Sequence, residues 1–427
     1  MNKIKIAILG SSNVAAQVVR LISEQQEELD QSVGTKVDLI GVGVKNIEKI
    51  GHEDIDKRLF STDIPSLIRK ADIVVELVGG LTDAKDYVFE ALSLGKTVVT
   101  ANKMLLSHFY EQLMEACETN KTELYYEGSV CGAIPIVHAL RESLRNDKVE
   151  SIMGVVNSTT NYVLDKMTSE GTSFEEALQQ AQDLGFAETD STADVYGTDA
   201  ASKAAILSSL AFSSQISIDQ VDAKGIEDIT VEDIKTAKEK GYALKLIFVA
   251  SRREDHNAMG IHVSVRPTLL PLYHPLATVK GIHNAVLVDT QLAGRLMFYG
   301  QGYGINAVAS TVLNDIVRAS VHKKYGIVFT QNYVPTDLNI LSDEYISGRF
   351  YMNLTVDDRP GVLSQVTGIC GANNLSIDSL VQDRQNLEVR LSIFTHETTY
   401  SSLKKTVEMF NEDVGIISVN SILYVEK

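Results

Sequence analysis

Short apolar runs alternate with helically spaced apolar residues through the first third of the chain. Residues 4–9 form a β-rich run that ends at Gly10, and residues 14–28 carry apolar side chains at helical spacing. Further short strands are predicted at 37–44, 73–78 and 97–100. Strands that alternate with helices form right-handed βαβ units with a parallel sheet. The pattern therefore predicts an α/β, doubly wound dinucleotide-binding domain at residues 1–134.

The middle of the chain has a different pattern. Strands are predicted at 151–165, 243–250, 260–267 and 285–292, and long helices at 174–184, 199–213 and 230–240. This order favours a mixed sheet with helices on one face, in an α+β substrate and dimerisation domain at residues 135–322. We expect the helix around residues 306–322 to return and pack on the first domain. The open sheet makes a homodimer the expected assembly.

The last part of the chain is predicted to be a separate module. Residues 323–348 are an irregular connector, after which residues 350–356 alternate as in a half-buried strand and residues 362–370 follow helical spacing. The same patterns predict strands at 376–381, 387–393 and 419–425 and a helix at 403–410. The order βαββαβ predicts a ferredoxin-like domain at residues 349–427.

Composition limits the classes of function. A chain of 427 residues with 44% hydrophobic residues suits two or three domains with sizeable cores. The formal net charge of −17 argues against binding a nucleic-acid backbone. The three cysteines, Cys117, Cys131 and Cys370, are an odd number and lack metal-ligand spacing, which together favour a reducing cytoplasm. No apolar run approaches the roughly 18–20 residues that cross a bilayer. We expect a cytoplasmic protein without nucleic-acid or membrane partners.

The segment 183–203 carries the densest candidate chemistry. Its charged groups are five carboxylates and one amine: Asp183, Glu188, Asp190, Asp194, Asp199 and Lys203. A helix predicted to begin near Thr198 places Asp199 and Lys203 four residues apart on one face. Two interpretations are open. The segment is either a solvated acidic loop with a surface ion pair, or a cleft that binds an ammonium group and moves a proton.

Gly10, Ser12, Asn13 and Val14 lie where a dinucleotide-binding loop is expected, between the first strand and its helix. The full motif has three glycines, for the turn, for close approach of the pyrophosphate and for packing of helix on strand. Ser12 takes the second position, where its side chain narrows the space for the pyrophosphate. Ala15 takes the third, an accepted variant. The motif alone leaves a cofactor loop and a plain βα turn open.

The end of the second predicted strand bears on the choice of cofactor. Lys45 follows this strand, at a place where NAD-binding proteins carry an acidic residue for the ribose 2′-hydroxyl. A lysine there suits a 2′-phosphate instead. The sequence therefore favours NADP(H) over NAD(H).

Several stretches together resemble one enzyme family. They are Glu-Leu-Val-Gly-Gly (76–80), Val-Thr-Ala-Asn-Lys (99–103), Ser-Val-Cys-Gly-Ala-Ile-Pro (129–135), Gly-Val-Val-Asn-Ser-Thr-Thr-Asn (154–161), Asp-Leu-Gly-Phe-Ala-Glu (183–188), Gly-Thr-Asp-Ala-Ala-Ser-Lys (197–203), Arg-Pro-Thr-Leu-Leu-Pro (266–271), Met-Phe-Tyr-Gly-Gln-Gly-Tyr-Gly (297–304) and Asp-Asp-Arg-Pro-Gly-Val-Leu (357–363). In combination they resemble homoserine dehydrogenase with a C-terminal ACT domain, along nearly the whole chain.

The resemblance implies hydride transfer between L-aspartate 4-semialdehyde and L-homoserine with a nicotinamide cofactor. Lys203 matches the family's acid–base position, with Asp199 orienting it. Lys103 matches a second cation that contacts substrate and cofactor and makes Lys203 a better proton donor. We expect the two amines to converge beside the acids. Glu188 and Asp199 match positions that bind the substrate's amino and hydroxyl ends, and Asp194 either joins them or holds the loop.

The same resemblance implies further binding residues. Gly185 and Gly302 match places where the backbone approaches the cofactor, and both positions also suit ordinary turn glycines. A monovalent cation such as Na⁺ would be surrounded by oxygens, largely backbone carbonyls, of Glu127, Val130, Gly132 and Ile134. Serine stands at 12, 158 and 202, where the family usually has glycine, glycine and arginine, and these departures bear on cofactor affinity.

The C-terminal module would hold an amino-acid effector, threonine by resemblance. The free N–H groups of the helix after Gly361 suit its carboxylate, with Asn373 and Ile377 nearby in sequence. The alternative is an oligomerisation module without ligand, and pairing of such modules would turn a dimer into a tetramer. Two alternatives to this activity stay open: an amino-acid-sensing homologue with impaired cofactor binding, and a dehydrogenase of another amino-acid semialdehyde.

Overall fold

The chain forms two compact units, each assembled from separated segments. The computed structural model describes residues 3–49, 51–52, 55–255, 258–328, 338–341, 346–385, 388–413 and 415–426. The first unit comprises residues 1–149, 205–219 and 290–337. The second comprises residues 150–204, 220–289 and 338–427. Parts of the predicted connector, at 329–337 and 342–345, lie outside the described residues.

The strands of the described residues, in chain order, are β1 Lys3–Leu9, β2 Lys36–Gly43, β3 Phe60–Ser61, β4 Ile73–Glu76, β5 Thr97–Thr100, β6 Leu124–Tyr125, β7 Val149–Val155, β8 Asp222–Ala223, β9 Tyr242–Asp255, β10 Ala258–Pro271, β11 His283–Thr290, β12 Gly294–Gln301, β13 Asn339–Ile340, β14 Ser347–Val356, β15 Ile377–Gln385, β16 Glu388–Thr395, β17 Thr398–Thr399 and β18 Ile416–Val425.

The α-helices of the described residues are α1 Asn13–Glu24, α2 Gln26–Val33, α3 Ile64–Lys70, α4 Thr82–Ser93, α5 Lys103–Thr119, α6 Ile136–His138, α7 Ser158–Glu170, α8 Phe174–Asp183, α9 Thr192–Val195, α10 Thr198–Phe212, α11 Val231–Glu239, α12 Ile305–Tyr325, α13 Val362–Ala372 and α14 Tyr400–Glu412. Helix α8, predicted at 174–184, begins with a capping box of Ser173 and Glu176.

The first unit contains a parallel sheet in the order β3-β2-β1-β4-β5-β6. This is the strand order of a doubly wound dinucleotide-binding fold, and its topological switch point lies between β1 and β4. The predicted fold class of this region is confirmed. Helix α12 packs in the core of the same unit through Ala309, Val312, Ile316 and Ala319. The expected return of this helix onto the first domain is therefore also confirmed.

The second unit contains a mixed sheet in the order β11-β7-β9-β10-β18-β14-β16-β15. Strands β9 and β10 form a long antiparallel pair. One expectation is wrong here: residues 151–165 do not form a single strand. Strand β7 ends at Val155, and Asn157 caps α7, its side chain accepting a hydrogen bond from the Thr160 N–H.

The C-terminal module has the predicted βαββαβ order and its own core. Phe350, Met352 and Leu354 of β14 pack there with Val366 of α13 and Phe410 of α14. The sheet of the module continues into the rest of the second unit, because β18 pairs in parallel with β10 at Thr268↔Tyr424 and Leu269↔Val425. The C-terminal module and the mixed-sheet domain therefore share one sheet.

Hydrogen bonds to the buried carboxylate of Asp233 on α11 also attach the C-terminal module. Asp233 Oδ1 accepts hydrogen bonds from the Tyr351 hydroxyl (2.9 Å), the Asn353 amide (2.8 Å) and the Ser421 hydroxyl (2.8 Å). Its Oδ2 accepts from the Thr230 N–H and hydroxyl. Burial raises the pKa of Tyr351, and the charge of Asp233 raises it further.

Candidate active site

Lys203 and Asp199 form a mostly buried ion pair on α10. The two side chains are 13% and 5% exposed, and Lys203 Nζ lies 2.7 Å from Asp199 Oδ2. The same amine donates to the Val156 carbonyl oxygen at 2.8 Å. The prediction that Asp199 and Lys203 lie on one face of a helix is confirmed. Because two acceptors from different elements hold Nζ, the amine has a defined direction, unlike that of a surface lysine.

Asn157 links the ion pair to the acidic segment, a role that the sequence analysis missed. Its amide nitrogen donates to Asp194 Oδ1 at 2.6 Å and to Asp199 Oδ2 at 2.8 Å. Its amide oxygen caps α7 by accepting from the Thr160 N–H. The signal in the sequence is an asparagine before Ser-Thr-Thr, which is typical of a helix N-cap. Asp194 and Asp199 are thereby brought together.

The remaining acids of the segment differ in their surroundings. Glu188 is exposed, and its backbone carbonyl accepts from the Ser191 hydroxyl at 2.6 Å. Asp190 accepts from the Thr192 N–H. Hydrogen bonds from the Thr192 side chain and then from its N–H lower the pKa of Asp190. Gly185 has φ +73° and ends α8. The geometry around Gly185 fits a helix stop, and its predicted cofactor contact stays a prediction.

The predicted dinucleotide loop of the first unit begins at Gly10, between β1 and α1. Gly10 has φ +114°, and a β-carbon there would lie 2.5 Å from the Leu77 carbonyl oxygen, so only glycine fits. Ser12 is the N-cap of α1: its hydroxyl accepts from the Ala15 N–H and donates to the Leu77 carbonyl, both at 3.2 Å. The serine that departs from the motif thus has two bonds within the loop. Helix α1 then starts with Asn13, and such an N-terminus suits a pyrophosphate.

A hydrogen-bond chain organises the carboxyl ends of β4 and β5. Buried Glu76 accepts from the Val78 and Gly79 N–H groups and from the Thr100 hydroxyl, the last at 2.6 Å. Thr100 accepts from the Asn102 N–H, and Asn102 caps α5, of which Lys103 is the first residue. The sequence analysis named Lys103 as a site residue. It did not identify the role of Glu76, which through Thr100 holds the loop that precedes Lys103.

Lys45, the predicted 2′-phosphate ligand, is paired within the protein. Its amine forms an ion pair with Asp83, and the hydrogen bond to Asp83 raises the pKa of Lys45. Both side chains are largely exposed. A 2′-phosphate would therefore have to compete with Asp83 for this amine.

The predicted cation loop contains a buried acid cluster. Glu127 accepts from the Val137 and His138 N–H groups, one on each carboxylate oxygen, both at 2.7 Å. Asp315 of α12 accepts from the Glu127 N–H at 3.0 Å and lies 2.8 Å from His138 Nε2. Burial raises the pKa of Glu127 to about 7, against the opposing charge of His138. Burial also raises the pKa of Asp315.

The backbone oxygens of this loop suit a hard cation by their chemistry. Gly132 has φ +58°, and its carbonyl accepts from the Thr311 hydroxyl at 3.0 Å. The Ile134 carbonyl accepts from the Ile136 N–H at 2.8 Å. Each carbonyl oxygen has a second lone pair, and oxygen ligands are those that hard cations prefer. Gly302 lies against the same loop, 2.7 Å from where a Gly132 β-carbon would be.

The predicted convergence of Lys103 with Lys203 joins residues of the two units and stays a prediction. Within the second unit, Lys203, Asp199, Asp194 and Asn157 form one cluster. A doubly wound nucleotide-binding fold and an anchored lysine–carboxylate pair are together typical of nicotinamide-dependent dehydrogenases.

Comparison with known proteins identifies the family. Residues 135–317 match the family model for homoserine dehydrogenase, residues 10–127 that for the homoserine dehydrogenase NAD-binding domain, and residues 350–412 that for the ACT domain. The homoserine dehydrogenase of Corynebacterium glutamicum is 38% identical over 425 residues, which cover 99% of this chain and 95% of that one. The chain belongs to the homoserine dehydrogenase family.

Solved structures agree with this assignment. The crystal structure of a homoserine dehydrogenase from Thiobacillus denitrificans has a TM-score of 0.91 at 32% identity, covering 100% of this chain and 98% of that chain. A hyperthermophilic archaeal homoserine dehydrogenase mutant in complex with NADPH has a TM-score of 0.63 at 26% identity, covering 75% of this chain and 98% of that chain. Within the described residues, no helix is both long and apolar enough to span a membrane.

Proposed function

We propose that the protein interconverts L-aspartate 4-semialdehyde and L-homoserine, with Lys203 as proton donor and acceptor. A reduced nicotinamide, when bound, supplies the hydride that reaches the aldehyde carbon. Lys203 Nζ donates its proton to the aldehyde oxygen as negative charge develops there, and takes it back in the reverse direction. The observation that carries this proposal is the mostly buried Lys203 amine held by Asp199 and the Val156 carbonyl.

The carboxylates beside Lys203 have two roles in this proposal. Asp199 orients the amine and, with Glu188, accepts hydrogen bonds from the substrate's hydroxyl and ammonium ends. Asn157 is a positioning residue, because its amide holds Asp199 and Asp194 at fixed places. Lys103, at the start of α5, contacts the substrate and the cofactor.

Turnover of the full chain tests the reaction. We expect reduced nicotinamide absorbance to fall when aspartate semialdehyde is added, and a semialdehyde one methylene longer to react far more slowly. Faster reaction of the longer substrate would indicate a dehydrogenase of another semialdehyde. Binding of amino acids without any turnover at saturating cofactor would indicate a sensing homologue instead.

We propose NADP(H) as the preferred cofactor, held by the Gly10–Val14 loop with Lys45 at the 2′-phosphate. The NADPH complex of the archaeal relative is in line with this proposal. Because Asp83 pairs with Lys45, an Asp83→Asn variant is expected to lower the KM for NADPH and leave that for NADH unchanged. Equal effects on both cofactors would contradict a role of Lys45 in selection.

We also propose a monovalent cation at the Glu127 loop, a threonine effector at the N-terminus of α13, and a homodimeric or tetrameric assembly. Helix α13 begins after Gly361, whose φ is +95°. Threonine is expected to raise the melting temperature, since a ligand that binds the folded state stabilises it. If threonine does not shift the melting temperature, the ACT module has a role in assembly only. Light scattering measures the size of that assembly.

A further inference from the structure

A cavity of about 330 Å³ lies within the second unit, where β10, α14, β14 and β18 meet. Apolar side chains in its walls are Phe350, Leu403, Val407 and Ile422. Charged side chains in its walls are Lys224, Arg266, Lys404 and Glu408. Its volume is at the small end of the range of about 300–1,000 Å³ for ligand pockets, so its occupant would be a small molecule.

Arg266 gives the cavity a rigid cationic wall. The residue is 8% exposed and forms an ion pair with Asp222. Its guanidinium carbon lies 4.6 Å from the ring centroid of Tyr400 and 5.1 Å from that of Tyr424. Contacts of this kind between a guanidinium and aromatic faces are stabilising, especially away from water. A buried guanidinium held by two rings keeps its position before any ligand arrives.

The cavity wall offers cationic hydrogen-bond donors to an anion. Lys404 lies with its amine 5.2 Å from the Tyr400 ring centroid, and Lys224 contributes a third cation, 3.3 Å from Asp228. Each cation also has an acidic neighbour: Asp222 pairs with Arg266, Asp228 pairs with Lys224, and Glu408 lies one helical turn after Lys404. A ligand carboxylate would therefore share Arg266 with Asp222, which the five N–H donors of a guanidinium allow. Arginine and lysine donors form short, strong hydrogen bonds with carboxylates.

We propose that this cavity binds a small carboxylate with an apolar, leucine-sized body. The carboxylate pairs with Arg266 and Lys404, and the body packs on Phe350, Leu403 and Ile422. The lining residues come from outside the segment 357–377, where the effector site of the ACT module is expected from the sequence. The cavity is therefore a second, distinct site.

The position of the cavity gives its ligand a structural consequence. Arg266 belongs to β10, whereas Lys404 and Leu403 belong to α14 of the ACT module. A ligand here contacts both at the place where β18 joins the module to β10. Bound carboxylate would thus stabilise the shared sheet, and the melting temperature would rise with its concentration.

Calorimetric titration of the full chain tests the proposal, with 4-methylpentanoate, leucine and the uncharged 4-methylpentanamide as probes. We expect at least one of the two carboxylates to bind and the amide not to. Lys404→Gln is expected to weaken that binding roughly tenfold, as loss of one charge-assisted bond does. Lys405→Gln is the matched control, because Lys404 and Lys405 are adjacent and both exposed, but Lys405 does not line the cavity.

The possible outcomes separate the proposal from its alternatives. Absence of binding by both carboxylates, equal binding of the amide, or binding that Lys404→Gln leaves unchanged would each overturn it. The last result would assign leucine to another site. Glu408→Gln tests whether an ammonium group contacts this acid: it weakens leucine if the ammonium contacts Glu408, and it strengthens 4-methylpentanoate, because removal of a carboxylate lowers the repulsion of an anion. Either change supports the cavity as the site.

Discussion

At the scale of single residues, the environment of Lys203 and Asp199 differs from that of another lysine–carboxylate pair, Lys166 and Glu170. Lys166 and Glu170 have the same four-residue spacing on α7, but both are more exposed. Of the two lysines, Lys203 also donates to the backbone carbonyl of Val156, in the loop before α7. Spacing alone could predict the ion pair in both cases, whereas burial and the second acceptor depend on tertiary structure.

The proposed proton-transfer role of Lys203 leads to a prediction for Lys203→Ala. We expect kcat to fall by about 10²–10⁴-fold, the usual contribution of a positioned general acid. Steady-state turnover measures this, with circular dichroism as the check on folding. Lys166→Ala, which breaks the exposed pair of the same spacing, is expected to leave kcat unchanged. A Lys203→Ala enzyme that keeps most of its kcat would rule out Lys203 as the proton donor.

Ser12 leads to a prediction about the dinucleotide loop. Because its hydroxyl is bonded to Leu77 and Ala15, we expect Ser12→Gly to change the KM for the reduced cofactor by less than about twofold. Loss of the N-cap is expected to lower the free energy of unfolding by a few tenths of a kcal/mol, as for other serine-to-glycine caps. Ser11→Gly serves as control in the same urea titrations. A several-fold lower KM in Ser12→Gly would mean that the serine does restrict the pyrophosphate.

At the scale of elements, most strands and helices could be predicted from the sequence, and the failure at 151–165 has a physical cause. Residues 158–164 of α7 are buried without interruption, so they lack the polar stripe that identifies a helix. Their threonines, valine and tyrosine also favour a strand locally. Only the N-cap of Asn157 marked the boundary. By contrast, α8 and α14 have one buried face each and were predicted within a few residues.

The attachment of the ACT module by α11 leads to a prediction for Asp233→Ala. Removal of this carboxylate leaves buried donors of Tyr351, Asn353 and Ser421 without their acceptor. At about 1–3 kcal/mol for each such group, we expect the free energy of unfolding to fall by about 3 kcal/mol or more in urea titrations. Glu232→Ala, next to it, removes only a partly exposed contact with Arg390 and is expected to cost less than about 1 kcal/mol. Equal losses in both variants would contradict the attachment.

At the scale of the whole molecule, Glu127 makes stability depend on pH. Its pKa rises from 4.5 to about 7 on folding, so the folded state binds this proton more tightly than the unfolded state. Stability is therefore greatest below pH 4.5 on this account and falls as the pH rises through 7. With about 1.4 kcal/mol per pKa unit, the loss approaches roughly 3 kcal/mol. Asp315, whose pKa is raised too, acts in the same direction.

Urea unfolding between pH 5 and 8 measures this dependence. We expect Glu127→Gln to be less stable than the parent at pH 5 but to have a flatter pH profile. Addition of Na⁺ in place of choline is expected to recover stability of the parent at pH 8 more than at pH 5, because a cation favours the charged carboxylate. Parallel profiles for the parent and the variant would contradict the assignment to Glu127.

The way in which α12 completes the first core has a consequence for biosynthesis. Strand β1 is synthesised early, and its core residues are Ile4, Ile6 and Ile8. They share a core with Val312 and Ile316 of α12, which are synthesised after most of the second unit. Until then the nascent sheet presents apolar surface that its own later residues will cover. Apolar surface that stays exposed during synthesis makes a chain prone to aggregation. We therefore expect chaperones to bind this nascent polypeptide, and a chain truncated before α12 to precipitate.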